Sequence, residues 1–360
     1  MFRTLITGLA LALGLGTAAA AAAPTPTTAD WTLRDFAFRS GERLPALKLR
    51  YHTLGTPRRD AAGNITNAVL VLHGTGGSGR SFANPIFADV LFAPGGALDP
   101  ATYFIIMPDN LGHGGSSKPS DGLRTKFPKY DYGDMVEAQR RLVQEHLGVK
   151  RLRLIMGTSM GCMHSFMWIT QWPESAQAAM PLACQPVEIA GRNRMWRKMA
   201  IDAIEADPAW NGGNYTAQPQ QGLRTAQDLL ILAGSAPIQM QAAMPTRAAV
   251  EAWLARELPA RMAAADANDL IYQLDSSRTY DPSKDLGKVT ATVTWINSAD
   301  DFINPPELGI AEREEKKMRR ARFVLIPASE KTRGHGTHTQ AALWQDELRA
   351  LLKRSEPTGR

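Results

Sequence analysis

The chain has 360 residues, 44% of them hydrophobic and 21% charged, enough apolar material to bury a full core, so it is neither disordered nor a small stapled scaffold. Lys+Arg 41 against Asp+Glu 35 leaves a formal charge of +6, spread along the chain without a basic stripe or aromatic platform, which argues against nucleic acid as a partner. Two cysteines, Cys162 and Cys184, exclude a disulfide framework and a four-cysteine metal site; two buried free thiols are the expected state, with a single bridge as the alternative.

The N-terminus carries one early positive charge at Arg3, an apolar run from Leu5 to about Leu15, and small residues from Ala18 to Ala23 before Pro24-Thr25-Pro26. That order predicts a secretory signal peptide over residues 1–23, cleaved near Ala23, with an uncleaved anchor as the alternative. No later segment is apolar over eighteen or more residues. The mature chain is therefore expected in the periplasm or secreted, without stable membrane insertion and away from cytosolic acyl-coenzyme A.

Trp31 to Phe38 and Leu47 to Leu54 alternate apolar and polar residues around Ser40-Gly41-Glu42, the pattern of an antiparallel hairpin. Short apolar runs follow at Ala68 to Leu72, Tyr103 to Met107, Leu152 to Met156, Ala179 to Ala183, Ala291 to Ile296 and Arg322 to Ile326. Such runs fit strands of a parallel sheet covered on both faces. Between them Tyr132 to His146 reads as an amphipathic helix, and another closes the chain from about Gln340 to Leu352. Residues 185–288 are rich in Ala, Gln, Met and Trp and show no strand pattern, so they read as a helical cap between a first core segment, 24–184, and a second, 289–360. The fold class is α/β, a mostly parallel eight-stranded sheet with helices on both faces.

The sharpest local signal is Gly157-Thr158-Ser159-Met160-Gly161, an apolar strand running into G-x-S-x-G and then a helix-compatible stretch. A nucleophile on so tight a corner needs small residues two before and two after it, which Gly157 and Gly161 supply. A lone motif of this kind can also be a mere Gly-rich turn. A serine hydroxyl needs a base and an orienting carboxylate, in the chain order Ser, Asp, His. Asp301, in the loop leaving the seventh strand and four residues before Pro305, fits the carboxylate; Asp300 is its rival, and either could simply cap the loop. His335, in Gly334-His335-Gly336-Thr337-His338, fits the base, and His338 lines the site or caps the helix that follows. No further ligand motif accompanies this His-x-x-His pair, so neither a metal nor another cofactor is expected.

Two amides must face the oxyanion of a tetrahedral intermediate. The N–H of Met160 is one, and that of Thr75, in the loop Gly74-Thr75-Gly76-Gly77 after the third strand, is the other. Without a Gly-Lys-Ser or Gly-Lys-Thr continuation, this loop is not read as a phosphate cradle. Gly74, Arg194 and His338 are expected in the substrate pocket. The methionines near the elbow and cap, Met156, Met160, Met163, Met167, Met180, Met195 and Met199, read as core filler before an acyl pocket. The run Glu312 to Arg320 reads as a solvated helix face with Glu312/Lys316 and Glu315/Arg319 pairs.

Together these pieces resemble an α/β-hydrolase, and more narrowly the homoserine O-acetyltransferase family. The resemblance runs from Tyr51-His52-Thr53-Leu54-Gly55 through Asp134-Met135-Val136-Glu137-Ala138-Gln139 and the serine motif to Asp207-Pro208-Ala209-Trp210-Asn211-Gly212-Gly213-Asn214-Tyr215 and Asp266-Ala267-Asn268-Asp269. It implies the fold, the helical cap, the roles of Ser159, Asp301 and His335, and a homodimer through the cap. In that family an aspartate follows the histidine and is expected to meet the amino group of homoserine; here Gly336 does. With the export signal, this turns the expectation toward an exported serine hydrolase acting on a small-molecule ester, and less toward an amide or lactone. Acyl transfer and a noncatalytic binding protein on the same scaffold are the alternatives.

Overall fold

A computed structural model describes residues 22–356 of the chain. All but the last two residues of the expected signal segment, 1–23, lie outside the described residues.

The hairpin forms from β1 (Thr27–Ala37) and β2 (Arg43–Leu54), antiparallel, with Leu33 opposite Leu47 and Trp31 opposite Leu49. Next in the chain come β3 (Ala68–Leu72), helix α1 (Pro85–Leu91), β4 (Phe104–Pro108), α2 (Tyr132–Arg141), β5 (Leu152–Thr158), α3 (Met160–Gln171) and β6 (Ala176–Leu182). Five helices then run without a strand: α4 (Gly191–Ala206), α5 (Gln220–Gly234), α6 (Pro237–Ala243), α7 (Arg247–Ala263) and α8 (Ala267–Asp275). The sheet resumes with β7 (Thr292–Ser298), α9 (Ile310–Glu315), β8 (Ala321–Ile326) and α10 (Gln345–Arg354). No helix among the described residues is long and apolar enough to cross a membrane.

The eight strands make one sheet in the order β1-β2-β4-β3-β5-β6-β7-β8, parallel from β4 onward. Every residue of β3, β4, β5 and β7 is buried, because helices cover both faces and leave no polar face to alternate. Period two still sorts the side chains. Leu70 and Leu72 join the core on one face with Ile155, Phe166 and Trp295, while Val69 and Val71 join that on the other with Met156, Leu348 and Leu351. From β3 the chain crosses to β4 on one side and β5 leaves on the other, so strand order reverses between β3 and β5. Loops at the carboxyl ends of those two strands flank a crevice where no crossover covers the sheet edge.

The cap has its own core, in which Trp196, Ile201 and Ile204 of α4 meet Leu223 and Ala226 of α5 and Leu270 and Leu274 of α8. Phe302 and Ile303 pack against it, Tyr272 packs against Phe127 and Tyr130, and polar bonds add to these: Ser120 donates through both its amide and its hydroxyl to Asp269, at 2.8 and 2.6 Å, and the Tyr272 hydroxyl donates to Phe127 O at 2.6 Å.

Four expectations need correction. Cys162 and Cys184 are not free thiols but a disulfide, because the first turn of α3 and the end of β6 bring their Cα atoms to 5.8 Å, within bridging reach. The helix expected over Tyr132 to His146 keeps α geometry only to Arg141 and widens to a π turn over Leu142–His146, where Val143 stays buried. The charged run is not one solvated face: α9 ends at Glu315, so the i, i+4 geometry stops there. Buried Glu314 instead pairs with Arg313 and Lys317, and Glu315 accepts from the Phe323 amide. Met195 and Met199 fill neither core nor pocket, being 56% and 51% exposed on α4, whereas Met156, Met160, Met163, Met167 and Met180 are buried.

Candidate active site

Strand β5 ends at Thr158 and α3 starts at Met160, so the chain must turn at Ser159 alone. It does so with φ 54° and ψ −111°, a conformation costly for a residue with a side chain, held by a hydrogen bond from the Ser159 amide to Leu182 O on β6 at 2.9 Å. The flanking glycines are forced by contact. A Cβ at Gly157 would lie 2.1 Å from Gly161 O, and one at Gly161 would lie 2.0 Å from Leu72 O. The sharp turn leaves the Ser159 hydroxyl clear of the helix it caps.

His335 and Asp301 reach this hydroxyl from the loops after β8 and β7. His335 Nδ1 lies 2.9 Å from Asp301 Oδ2, and His335 Nε2 lies 2.8 Å from Ser159 Oγ. A carboxylate only accepts, so Nδ1 carries the proton and Nε2 is left to accept from the serine hydroxyl. Asp301 is buried and also accepts from the Ile303 amide at 2.8 Å and from Asn304 Nδ2 at 2.9 Å. Burial pushes its pKa up, but His335 and these donors outweigh burial and hold the carboxyl below its ordinary range. Asp300 faces away, toward Ser298, the Thr332 hydroxyl at 2.8 Å and the Gly334 amide at 3.1 Å, and so fastens the histidine loop to the end of β7.

The loop after β3 lies against the elbow: a Cβ at Gly74 would sit 3.2 Å from Ser159 Cβ, so only glycine leaves the hydroxyl unobstructed. A turn with Gly77 N donating to Gly74 O shapes this loop, and His73 anchors it, its Nδ1 2.8 Å from Gly74 O and its Nε2 accepting from the Asn110 amide at 3.0 Å. Asp109 ties the next loop in, accepting from the amides of Gly79 and Gly115, each at 2.7 Å. Thr75 therefore stands on a fixed loop beside Ser159, and Met160 begins α3, where amides lack helical partners. A helix N-terminus and a Gly-rich turn facing one hydroxyl are suited to receiving a developing negative charge.

Two cavities meet at Ser159 and His335. The larger, about 990 Å3, extends beneath the cap between Ala183–Asn193 and Phe302–Pro305. The smaller, about 350 Å3, holds Gly74, Thr75 and His338. His338 is half-buried beside His335, and desolvation of its ring pushes its pKa down to about 3, so it stays neutral. Arg194 is not in either cavity. It points toward Asp275, 3.8 Å away, in a neighbouring cleft with Lys129 and Tyr130, whereas Arg197, one turn further along α4, lines both cavities. Arg192 pins the cap: it donates to Phe302 O at 2.6 Å and lies over the Phe302 ring. Sequence reasoning missed Arg197, Tyr132 and Asn304. Arg197 lies three residues past Arg194, and only the helix phase distinguishes the two; the other two had no local signal.

The alpha/beta hydrolase fold family model matches residues 67–332, and the chain belongs to that family. Within it, the chain resembles the homoserine O-acetyltransferases. It is 30% identical to a probable acyltransferase of Methanothermobacter thermautotrophicus over 77% of this chain and 83% of that one. Identity is also 30% to a homoserine O-acetyltransferase of Pelobacter propionicus, over 74% and 80%, and 38% to that of Moorella thermoacetica, over only 54% of each. Among solved structures, a homoserine O-acetyltransferase from Bacillus anthracis superposes with a TM-score of 0.80 at 21% identity, covering 92% of this chain and 98% of that one. An acetylester hydrolase from Corynebacterium glutamicum gives 0.78 at 24%, covering 91% and 96%. At these identities the structural likeness is one of fold. The sequence relatives are acyltransferases and the likeness to esterases is one of fold alone; the chain is an enzyme of this superfamily.

Proposed function

We propose that the protein is an exported serine hydrolase that cleaves an ester, and less readily an amide or lactone, through an acyl-serine intermediate. The observation that carries this is the unbroken chain of hydrogen bonds from Ser159 Oγ through His335 to Asp301, at 2.8 and 2.9 Å, opening into a cavity under the cap. His335 Nε2 takes the serine proton as Oγ bonds to the ester carbonyl carbon. Asp301 holds the imidazole in that tautomer, and the amides of Met160 and Thr75 hold the oxyanion. Collapse of the intermediate breaks the ester C–O bond, and the alcohol leaves with the proton from His335. A water then repeats the cycle, giving up a proton to His335 and releasing the carboxylic acid and free Ser159.

Two features support water as acceptor. Gly336 follows His335, so no side chain there can bind a substrate ammonium. The residue 1–23 pattern together with the Cys162–Cys184 disulfide supports an oxidising compartment, outside the reach of acyl-coenzyme A. Ser159→Ala is expected to lower kcat on a short activated ester by roughly 10⁴-fold or more with an unchanged circular dichroism spectrum. Undiminished turnover in that variant would remove the assignment. Acyl transfer to a small alcohol is the second reading, favoured by the acyltransferase relatives. It predicts that adding acceptor alcohols diverts the acyl group into new ester; free acid alone, with every acceptor, counts against it.

A further inference from the structure

Arg197 is 2% exposed, yet its guanidinium has one hydrogen-bond acceptor, the Asn193 side-chain oxygen 3.0 Å from Nε, and otherwise rests over the Trp196 ring. Nη1 is buried without an acceptor, and among the described residues no carboxylate oxygen lies within 4.0 Å. Burial disfavours the charge, and Arg194, one turn earlier on α4, adds repulsion. An unpaired buried guanidinium is strongly destabilising, so a chain that keeps one has a use for it. It borders both cavities that meet at Ser159 and His335. The fully buried Tyr132 hydroxyl lies against Arg197 and the side chains of Thr75 and Ser277 without a well-formed hydrogen bond to any of them, and it lines neither cavity. The Thr75 hydroxyl, also without a partner, borders the smaller cavity with Arg197.

We infer that Arg197, with the Thr75 hydroxyl, binds a carboxylate carried by the substrate, so that the preferred esters are those with a free carboxylate close to the scissile carbonyl. A planar guanidinium matches a carboxylate with two parallel N–H bonds, and the pairing supplies the charge the protein omits. The alternative use of the same residue, a structural pin for α4, is weakened by its lack of acceptors on the core. This inference rests on the ester-hydrolase reading, and the experiment separates the two.

Initial rates would be measured on two matched pairs, an aryl hemisuccinate against the aryl methyl succinate, and acetoxyacetate against its amide, with wild type, Arg197→Met and Arg197→Lys. In at least one pair, wild type is expected to favour the acid by roughly 100-fold in kcat/KM. Arg197→Met should abolish that preference, bringing kcat/KM on the acid down to that on its neutral partner, and Arg197→Lys should restore part of it. Equal turnover of acid and neutral partners by wild type in both pairs overturns the inference while leaving the hydrolase reading intact. So does an equal loss on both partners in Arg197→Met. Should that variant not fold, succinate must inhibit wild-type turnover of the neutral ester competitively and at least about tenfold more strongly than succinamide; equal inhibition refutes the subsite. Failure of the hydrolase reading looks different: no ester, acid or neutral, would depend on Ser159.

Discussion

Asp300 and Asp301 are adjacent, identical in type and both ionisable, yet they serve different bonds. Asp301 faces the imidazole, and Asp300 holds the loop on which the imidazole stands. Asp301→Asn is expected to keep the structure but cut kcat by roughly 10⁴-fold, since an amide permits the wrong imidazole tautomer. Asp300→Asn should retain acceptance from Thr332 and lose far less, within roughly tenfold, with the deficit seen first as a lower Tm. Comparing kcat of the two purified variants checks this; equal losses would mean that the carboxylates share one task. Sequence reasoning reached Asp301 through its spacing from Pro305, but the local chain cannot say which of two neighbouring side chains turns inward. That depends on Asn304 and the Ile303 amide closing around one of them.

At the level of elements, the elbow joins β5 to α3 under tight contact, and the disulfide ties α3 back to β6 two residues past its end. The bridge closes a loop of modest length, its ends 22 residues apart in sequence, and lies one turn from Ser159. By the chain-entropy argument its loss costs about 3 kcal/mol. Cys162→Ser with Cys184→Ser is therefore expected to lower the urea midpoint and, by letting the unfolded chain expand, to steepen the slope, and added reductant should lower the midpoint for wild type and not for the double variant. An identical midpoint for all three states would contradict this. The thiols were legible as neighbours on adjacent elements, but burial alone reads equally well as two free thiols. The distance between two backbones separated by a strand crossing decides the matter.

For the whole molecule, pH dependence follows from histidines buried where the cap and loops close. Burial pushes His113 and His338 down to about 3, and lowers His73 and His164. The folded state thus binds fewer protons than the unfolded chain between pH 6.5 and about 3, so stability rises with pH there and is lost on acidification through that window. Asp269 acts in the opposite sense: burial raises it to about 6, so the folded state holds its proton more tightly and gains stability as pH falls through 6. With His146 also lowered and Asp134 also raised by burial, five histidines against two carboxyls predict a Tm that falls steadily from about pH 7 to about pH 4, and His338→Gln should make the fall shallower. A Tm independent of pH over that range, or an unchanged slope in the variant, would refute it.

What the sequence by itself determined is the class of fold and the stations of the chemistry. Six apolar runs with their spacing, after an alternating hairpin, require a covered sheet, because only strands buried on both faces tolerate such runs. Gly157 and Gly161 mark the tight corner that carries Ser159. His335 and Asp301 fall in the loops at the ends of β8 and β7, since the topology sends those loops to the same edge as β5. What only the tertiary structure decided depends on contacts between residues far apart in sequence: which aspartate turns inward, that the thiols join, and that the cation at the site is Arg197 rather than Arg194. The physical reason is range. Periodicity and turn chemistry act over a few residues and fix elements, whereas the acceptor left out beside Arg197 is a property of several elements packed together, and no single stretch of chain records it.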